Sequence, residues 1–429
     1  MQNNRFLRIL FAGLIVVAGS CLSTLNAVWA ARRESVLHRF SAKDGANPLG
    51  GLVFDSAGNL YGTTSQYGTY DFGTVFRLAP GANGTWAETV LHEFSGQDGN
   101  GPLASLVFDP AGNLYGTTFR GGNLSDCDSL GCGVVFKLAP TTNGKWIQTV
   151  LHKFKGSDGG SPMGSLTFDA EGSLYGTTAY GGSDPSGCGG VGCGTVFRLT
   201  PGTNGNWSEQ LLHTFNSNGK GGAEPLAGLA FDTAGNLYGT TYGGGACPYG
   251  TVFKLTPSTN GRWNERVLYS FCNGEANPEA GIILDAKGNL YTTTYYGGAY
   301  RQGTVSEFSP QANGEWTQKV LHSFNPNGKD GANPKAGLMF DTAGNLYGTT
   351  FYGGNLQGFP NGHGVVFKLA PGTNNTWDET ILYAFCSASS CKDGAFPESG
   401  VIIDSSRNLY GTAEGGGTND DGTVFKIAP

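Results

Sequence analysis

Charge is scarce in this sequence. Asp, Glu, Lys and Arg make up only 14% of its 429 residues, and methionine occurs three times and histidine six. With a formal net charge of −7, the chain has no excess of cations to neutralise phosphates, which argues against a nucleic-acid partner. Long apolar stretches at helical spacing are missing. Beyond the first thirty residues, nothing approaches the roughly 20 apolar residues that a membrane helix needs. Gly-x-Ser-x-Gly, His-Glu-x-x-His and a phosphate-binding glycine loop are also absent, so no catalytic residue and no cofactor is assigned.

What is abundant is glycine, 72 residues, together with Thr, Val, Phe and Tyr. This composition favours many short strands joined by tight turns. The first thirty residues form an export signal. Arg5 and Arg8 open it, Ile9 to Ala18 is its apolar core, and Val28-Trp29-Ala30 sets a cleavage after Ala30. Lipid attachment at Cys21, after Ala18-Gly19-Ser20, is the alternative. Removing Arg5 and Arg8 leaves 24 basic against 33 acidic residues, a mature charge of −9. The reading is of one domain from 31 to 429, monomeric, secreted or held in the cell envelope.

Eight cysteines remain after the leader, an even number that suits an oxidising compartment. Three pairs are close in sequence: Cys127 with Cys132, Cys188 with Cys193, and Cys386 with Cys391. Cys247 and Cys272 are then left for each other. Cys-x4-Cys without nearby histidines matches no common zinc spacing, so disulfides are expected and no metal.

Seven copies of a phrase organise the rest, the best reading Phe-Asp-x-Ala-Gly-Asn-Leu-Tyr-Gly-Thr-Thr. Its Asp falls at 55, 109, 169, 232, 285, 341 and 404, spaced by 54, 60, 63, 53, 56 and 63 residues. Such periods belong to propeller blades. Each unit holds four strand-sized pieces. The first follows a Pro and ends at the Asp, as in Leu103 to Asp109. Two and three residues after that Pro the chain is always small: Gly50-Gly51, Ala104-Ser105, Gly164-Ser165, Ala227-Gly228, Ala280-Gly281, Ala336-Gly337 and Ser399-Gly400. Strands crowding one axis need small residues, so this is the innermost strand. Asp-x-x-Gly-Asn then turns the chain into Asn-Leu-Tyr-Gly-Thr-Thr. A Gly-rich loop follows, then Gly-Thr-Val-Phe-Lys-Leu-Ala-Pro, an Asn-Gly connection, a Trp, and Thr-Val-Leu-His-x-Phe.

Val36 to Phe40 reads as a lone fourth strand, and the sequence ends on a third strand at Pro429. If the first completes the last blade, the fold is an all-β, seven-bladed propeller of four-stranded antiparallel blades with a closed ring.

The loops after second and fourth strands share one face, which holds the length variation and every expected disulfide. That is the expected recognition face. Tyr67, Tyr180, Tyr242, Tyr296 and Tyr352 stand beside glycines there and suit sugar rings or peptides; packing between blades explains them equally well. Asp44, Asp98, Asp158, Asp330 and Asp393 precede the inner strands. They either ring the channel mouth, where a cation or polyhydroxylated ligand would bind, or cap turns. His38, His92, His152, His213 and His322 share one position that Tyr269 and Tyr383 fill elsewhere, so no proton transfer or metal binding is required of it. His363 is an isolated, exposed loop histidine. The six tryptophans of the repeats (Trp86, Trp146, Trp207, Trp263, Trp316, Trp377) pack blades.

The unit Leu-x-Phe-Asp-x-x-Gly-Asn-Leu-Tyr-Gly-Thr-Thr, with Tyr-Gly-Gly and Gly-Thr-Val-Phe-Lys-Leu, resembles the GloVer (Gloeo/Verruco) tandem repeat of exported bacterial choice-of-anchor proteins, over Val36 to Pro429. Its Gly-Gly, Tyr and Trp placement is more distantly similar to kelch repeats. The resemblance implies a bacterial surface or secreted protein and carries over no catalytic residue. The expected role is therefore a binding or scaffold module for an extracellular glycan or protein. The alternative is a polysaccharide hydrolase or lyase using carboxylates at the channel mouth.

Overall fold

In a computed structural model, residues 34–182, 188–216, 221–259, 261–272, 277–325, 327–354 and 359–428 are described. The expected leader and Cys21 lie outside them. Seven four-stranded antiparallel sheets form the ring. Blade 1 comprises Val53–Phe54, Leu60–Thr64, Thr74–Pro80 and Trp86–Glu93, in that order from the axis outward. Blade 7 takes Ile402–Ile403, Leu409–Ala413 and Thr423–Ile427 from the end of the chain and Glu34–Arg39 from the start, with Glu34 opposite Ile427 and Arg39 opposite Thr423. The closed ring is as expected.

The hydrophobic core is divided among the seven blade interfaces. Phe40, Tyr410 and Val424 of blade 7 pack on Leu52, Leu60, Phe76 and Leu78 of blade 1, and equivalent clusters recur between every neighbouring pair. A sheet buries its face only against a partner, so closure is what completes this burial.

The repeated phrase is accounted for letter by letter. Asp55 Oδ1 accepts the backbone N–H groups of Ala57 and Asn59, both at 2.9 Å. Its Oδ2 accepts Asn59 Nδ2 at 2.7 Å and the Tyr61 hydroxyl at 3.0 Å. Burial alone would raise the Asp55 pKa, but these donors hold the carboxyl below its ordinary range. The Tyr61 ring then packs on Phe108 and Trp146 of the next blade, at 5.1 and 5.9 Å. Of the two threonines, the first reaches the next blade everywhere but in blade 2, where Thr117 Oγ1 has no partner: Thr240 Oγ1 donates to Ala280 O at 2.7 Å, and Thr412 Oγ1 closes the ring onto Gly50 O at 3.1 Å. The second pairs within its own blade, as Thr64 does with Thr74 at 2.8 Å.

The glycine between Tyr and Thr is fixed by a close approach. A Cβ on Gly348 would lie 2.6 Å from Phe367 Cζ, its cross-strand partner. Blade 5 alone lacks this glycine. There Thr292 faces Ser306, and Phe308 replaces the usual leucine, restoring the lost volume two residues on.

One expectation needs correction. The innermost strands pair regularly over only two residues, not from Leu103 to Asp109. Nearer the axis the segments bond sideways instead: Gly51 N–H donates to Ser105 Oγ at 2.9 Å, and Ser105 N–H to Ser165 Oγ at 3.2 Å. Convergence leaves no room there for a full antiparallel ladder.

Candidate ligand site at the channel mouth

Each inner segment enters the ring through a residue in the left-handed region, immediately before its Pro. Asn47, Gly101, Ser161, Glu224, Asn277, Asn333 and Phe396 have φ between 53° and 65°. Such a conformation is costly for most side chains and persists only where its surroundings fix it. Here hydrogen bonds do so. Asn333 N–H donates to Gln302 O of blade 5, and Asn333 O accepts Phe351 N–H of blade 6 at 3.2 Å. The residue after each Pro is thereby aimed at the axis.

Those residues are Leu49, Leu103, Met163, Leu226, Glu279, Lys335 and Glu398. All seven line an axial cavity of about 380 Å³, together with the small residues that follow them. Four are apolar, and the three charged ones sit on consecutive blades. Lys335 pairs with Glu398, and its ammonium lies 4.0 Å above the centre of the Phe351 ring. Burial raises the Glu279 carboxyl to about 7; Lys335 opposes the rise and Glu398 adds to it. Beside them Glu414 accepts Asn47 Nδ2 at 3.3 Å, and its carboxyl is raised by burial and by Glu398. The mouth is thus polarised, acidic toward blades 5 to 7 and aliphatic toward blades 1 to 4. This set breaks the repeat and was missed from sequence. Aligning the residue directly after each Pro would have exposed it.

Aromatics surround the charged half. Tyr242, Tyr295 and Phe351 follow the Thr pair of blades 4, 5 and 6, and the two tyrosines are anchored through their carbonyls by Asn277 Nδ2 at 3.0 Å and Asn333 Nδ2 at 2.9 Å. Tyr295 and Tyr296 meet edge to face at 4.6 Å. Phe351, Tyr352, Phe359, His363 and Phe396 form a continuous aromatic wall between blades 6 and 7. His363 is therefore buried rather than an exposed loop residue, because Phe359 and Phe396 cover it, and its Nδ1 finds no hydrogen-bond partner.

The expected tyrosines divide. Tyr67 and Tyr296 are 40% and 47% exposed. Tyr180, Tyr242 and Tyr352 are half-buried. Burial, then Glu224, raises the Tyr180 hydroxyl pKa, and burial, then Glu279, raises that of Tyr242. Tyr296 and Tyr352 stand on the charged half and Tyr242, on blade 4, borders it within electrostatic reach of Glu279, whereas Tyr67 is on blade 1 and Tyr180 on blade 3. Leu124, Leu130, Val191, Tyr249 and Tyr300 are also exposed on this loop face; the exposed large apolar residues on outermost strands are Ile147 and Val320.

The five Asp residues are not among those lining the cavity. Each is bonded to the outer strand: Asp44 to His38 at 2.8 Å, Asp98 to His92 at 3.0 Å, Asp158 to His152 at 3.2 Å, Asp330 to His322 at 3.1 Å and Asp393 to the Tyr383 hydroxyl at 2.6 Å. Each also accepts backbone N–H groups of its own turn, such as Ser41 N–H on Asp44. The histidine and Asp-Gly positions are thus two halves of one contact. All four expected disulfides are present, each on the loop face.

The architecture is that of a closed seven-bladed propeller with stapled loops around a polarised channel mouth. The family model for the Gloeobacter/Verrucomicrobia repeat matches residues 27–191 and 186–425, and the chain belongs to that family. Among curated proteins, none matches it. Several solved structures are similar at low identity. A Thermus thermophilus protein described as an oxidoreductase of the glucose dehydrogenase kind is 16% identical over 92% of this chain and 99% of its own, with a TM-score of 0.45. The periplasmic gluconolactonase of Pseudomonas aeruginosa is 14% identical over 78% and 88%, TM-score 0.47. A luciferin-regenerating enzyme is 14% identical over 76% and 90%, TM-score 0.41.

Proposed function

We propose that this is an exported binding protein that takes an extracellular glycan at the loop-face mouth of its channel. The observation that carries the reading is the break in seven-fold symmetry at Glu279, Lys335 and Glu398, flanked by aromatic rings on the same blades. Sugars offer hydroxyls to carboxylate and ammonium groups and apolar ring faces to aromatics. The four disulfides fit an oxidising, extracytoplasmic setting. Among the described residues no helix is long and apolar enough to cross a membrane.

The test is a glycan and cell-wall polymer array probed with the mature protein. Binding is expected, and it should be lost in Lys335→Ala and weakened in Tyr296→Ala and Tyr352→Ala, with Tyr67→Ala unaffected. No binding, or equal binding by the Lys335 variant, overturns the reading.

A second reading is a polysaccharide hydrolase or lyase. The observation favouring it is that Glu279, raised to about 7, stands near Glu398, which Lys335 pairs. A carboxyl kept protonated by burial beside a second carboxyl is an arrangement suited to general acid catalysis. Product release from an array-positive polymer, abolished by Glu279→Gln with binding retained, would select this reading over simple binding.

A further inference from the structure

The boundary between blades 5 and 6 differs from the other blade boundaries. His322 Nε2 comes from the outer strand Trp316–Ser323 of blade 5, and Glu379 Oε1 from the outer strand Trp377–Ala384 of blade 6. Asp330 Oδ2 comes from the connection between them. Nε2 lies 3.1 Å from Asp330 Oδ2 and 3.4 Å from Glu379 Oε1, and the three ligand atoms all lie within 4.8 Å of one another. Asp330 is 7% exposed. Its orientation is fixed by two backbone donors, Asn325 N–H on Oδ2 at 2.9 Å and Gly331 N–H on Oδ1 at 2.6 Å.

A protonated Nε2 carries one hydrogen and satisfies one carboxylate at a time. It is placed on Asp330, and Glu379 Oε1 is left without a hydrogen-bond partner, as are Glu88 Oε1 and Glu209 Oε1 at their boundaries; what sets Glu379 apart from those two is its 3.4 Å approach to the imidazole. Two carboxyls facing each other are satisfied either by a shared proton or by a cation, and the convergence of three ligand atoms from two blades favours the cation. The 3.4 Å between Nε2 and Glu379 Oε1 fits one, and the 3.1 Å to Asp330 would open slightly around it. Around a tetrahedral ion bound at about 2.0–2.2 Å, neighbouring ligand atoms are about 3.3–3.6 Å apart.

The same residue types occur at two other boundaries, as His38, Asp44 and Glu88, and as His152, Asp158 and Glu209. There the histidine meets its Asp at 2.8 and 3.2 Å, but only His322 has both an Asp and a Glu within 4.0 Å among the described residues. The connection explains the difference. Asp330 lies eight residues beyond its histidine, whereas Asp44 and Asp158 lie six beyond theirs.

We propose that His322, Asp330 and Glu379 form a zinc-type divalent cation site that clamps blade 5 to blade 6, with water in the fourth position. Neutral imidazole and two carboxylates suit a borderline cation rather than calcium. The inference is independent of the ligand at the channel mouth.

Untagged mature protein, stripped with chelator and dialysed, is titrated calorimetrically with Zn2+, and with Co2+ as an absorbing probe. One equivalent is expected, with a tetrahedral Co2+ band in the visible. Both should vanish in Glu379→Gln, which keeps the shape of the side chain, and persist in Glu209→Gln at the boundary between blades 2 and 3. No uptake by the wild type overturns the proposal, as does equal uptake by Glu379→Gln. Either result would leave His322 as a purely hydrogen-bonding bridge.

Discussion

The Lys335 ammonium touches the Glu398 carboxylate while lying over the Phe351 ring, so one side chain joins the inner segments of blades 6 and 7 to the aromatic wall. In the other blades the equivalent residue is aliphatic or acidic, and no cation replaces Lys335.

Removing that cation leaves two carboxylates facing each other across a partly dehydrated mouth. Lys335→Met should cost about 1–3 kcal/mol. This is below the value for a fully buried pair, because the two side chains remain 24% and 21% exposed. Adding Glu398→Gln should recover part of the loss. Denaturant unfolding of both single variants and the double variant measures the coupling; purely additive losses would show that the pair contributes nothing.

Stability should peak in mildly acidic solution. Burial raises Glu88 and Glu279 to about 7. A carboxyl raised in the folded state stabilises fully below its unfolded pKa, near 4.5, and that contribution is lost as pH rises through 7. Asp44 and Asp98 are lowered by their histidine and serine donors against the opposing effect of burial. Their contribution is present above about 3.8 and lost as pH falls further. His213, lowered by burial to about 4, favours the folded state above its ordinary value of 6.5 and opposes the gain between those limits. Thermal melts should show a higher midpoint at pH 5 than at pH 8, and Glu279→Gln should narrow that gap. An identical midpoint from pH 5 to 8 would refute the assignment.

Gly348→Ala drives a methyl group against Phe367 and should destabilise by about 1–3 kcal/mol. Thr292→Gly at the equivalent position of blade 5 should also destabilise, here by opening space opposite Ser306. Opposite preferences at one repeat position are the signature sought in the melts. If glycine is preferred at both, the exchange of Phe for Ser306 is not the reason.

Reduction should act unequally on the loop face. Cys247–Cys272 closes a segment with a sequence separation of 25 and Cys127–Cys132 one of 5. Chain-entropy reasoning assigns about 3.5 and about 2 kcal/mol to them. Replacing each pair by serines and comparing unfolding midpoints tests the order, which would be refuted if the short pair cost more.

Much of the fold was legible because a repeat converts one inference into seven. The Asp, Gly and Tyr of the phrase reported a turn whose hydrogen bonds are local, and the small pairs after each Pro reported crowding at an axis. The ring closure could be read from the complementary strands at the two chain ends. The disulfides followed from proximity in sequence. The same regularity obscured the candidate site. Leu49, Leu103, Met163 and Leu226 occupy the position of Glu279, Lys335 and Glu398 and look like ordinary strand residues, and only convergence on one axis turns three scattered charges into a cluster. The His322–Asp330–Glu379 meeting is likewise invisible in sequence. Its members come from two blades, and a connection two residues longer accompanies the approach of Glu379 to within 4.0 Å of the imidazole that Asp330 already holds. Sequence determined what recurs, because each recurrence is fixed by contacts within a unit. Tertiary structure decided where the units differ together, because those contacts form only between blades and at the axis they share.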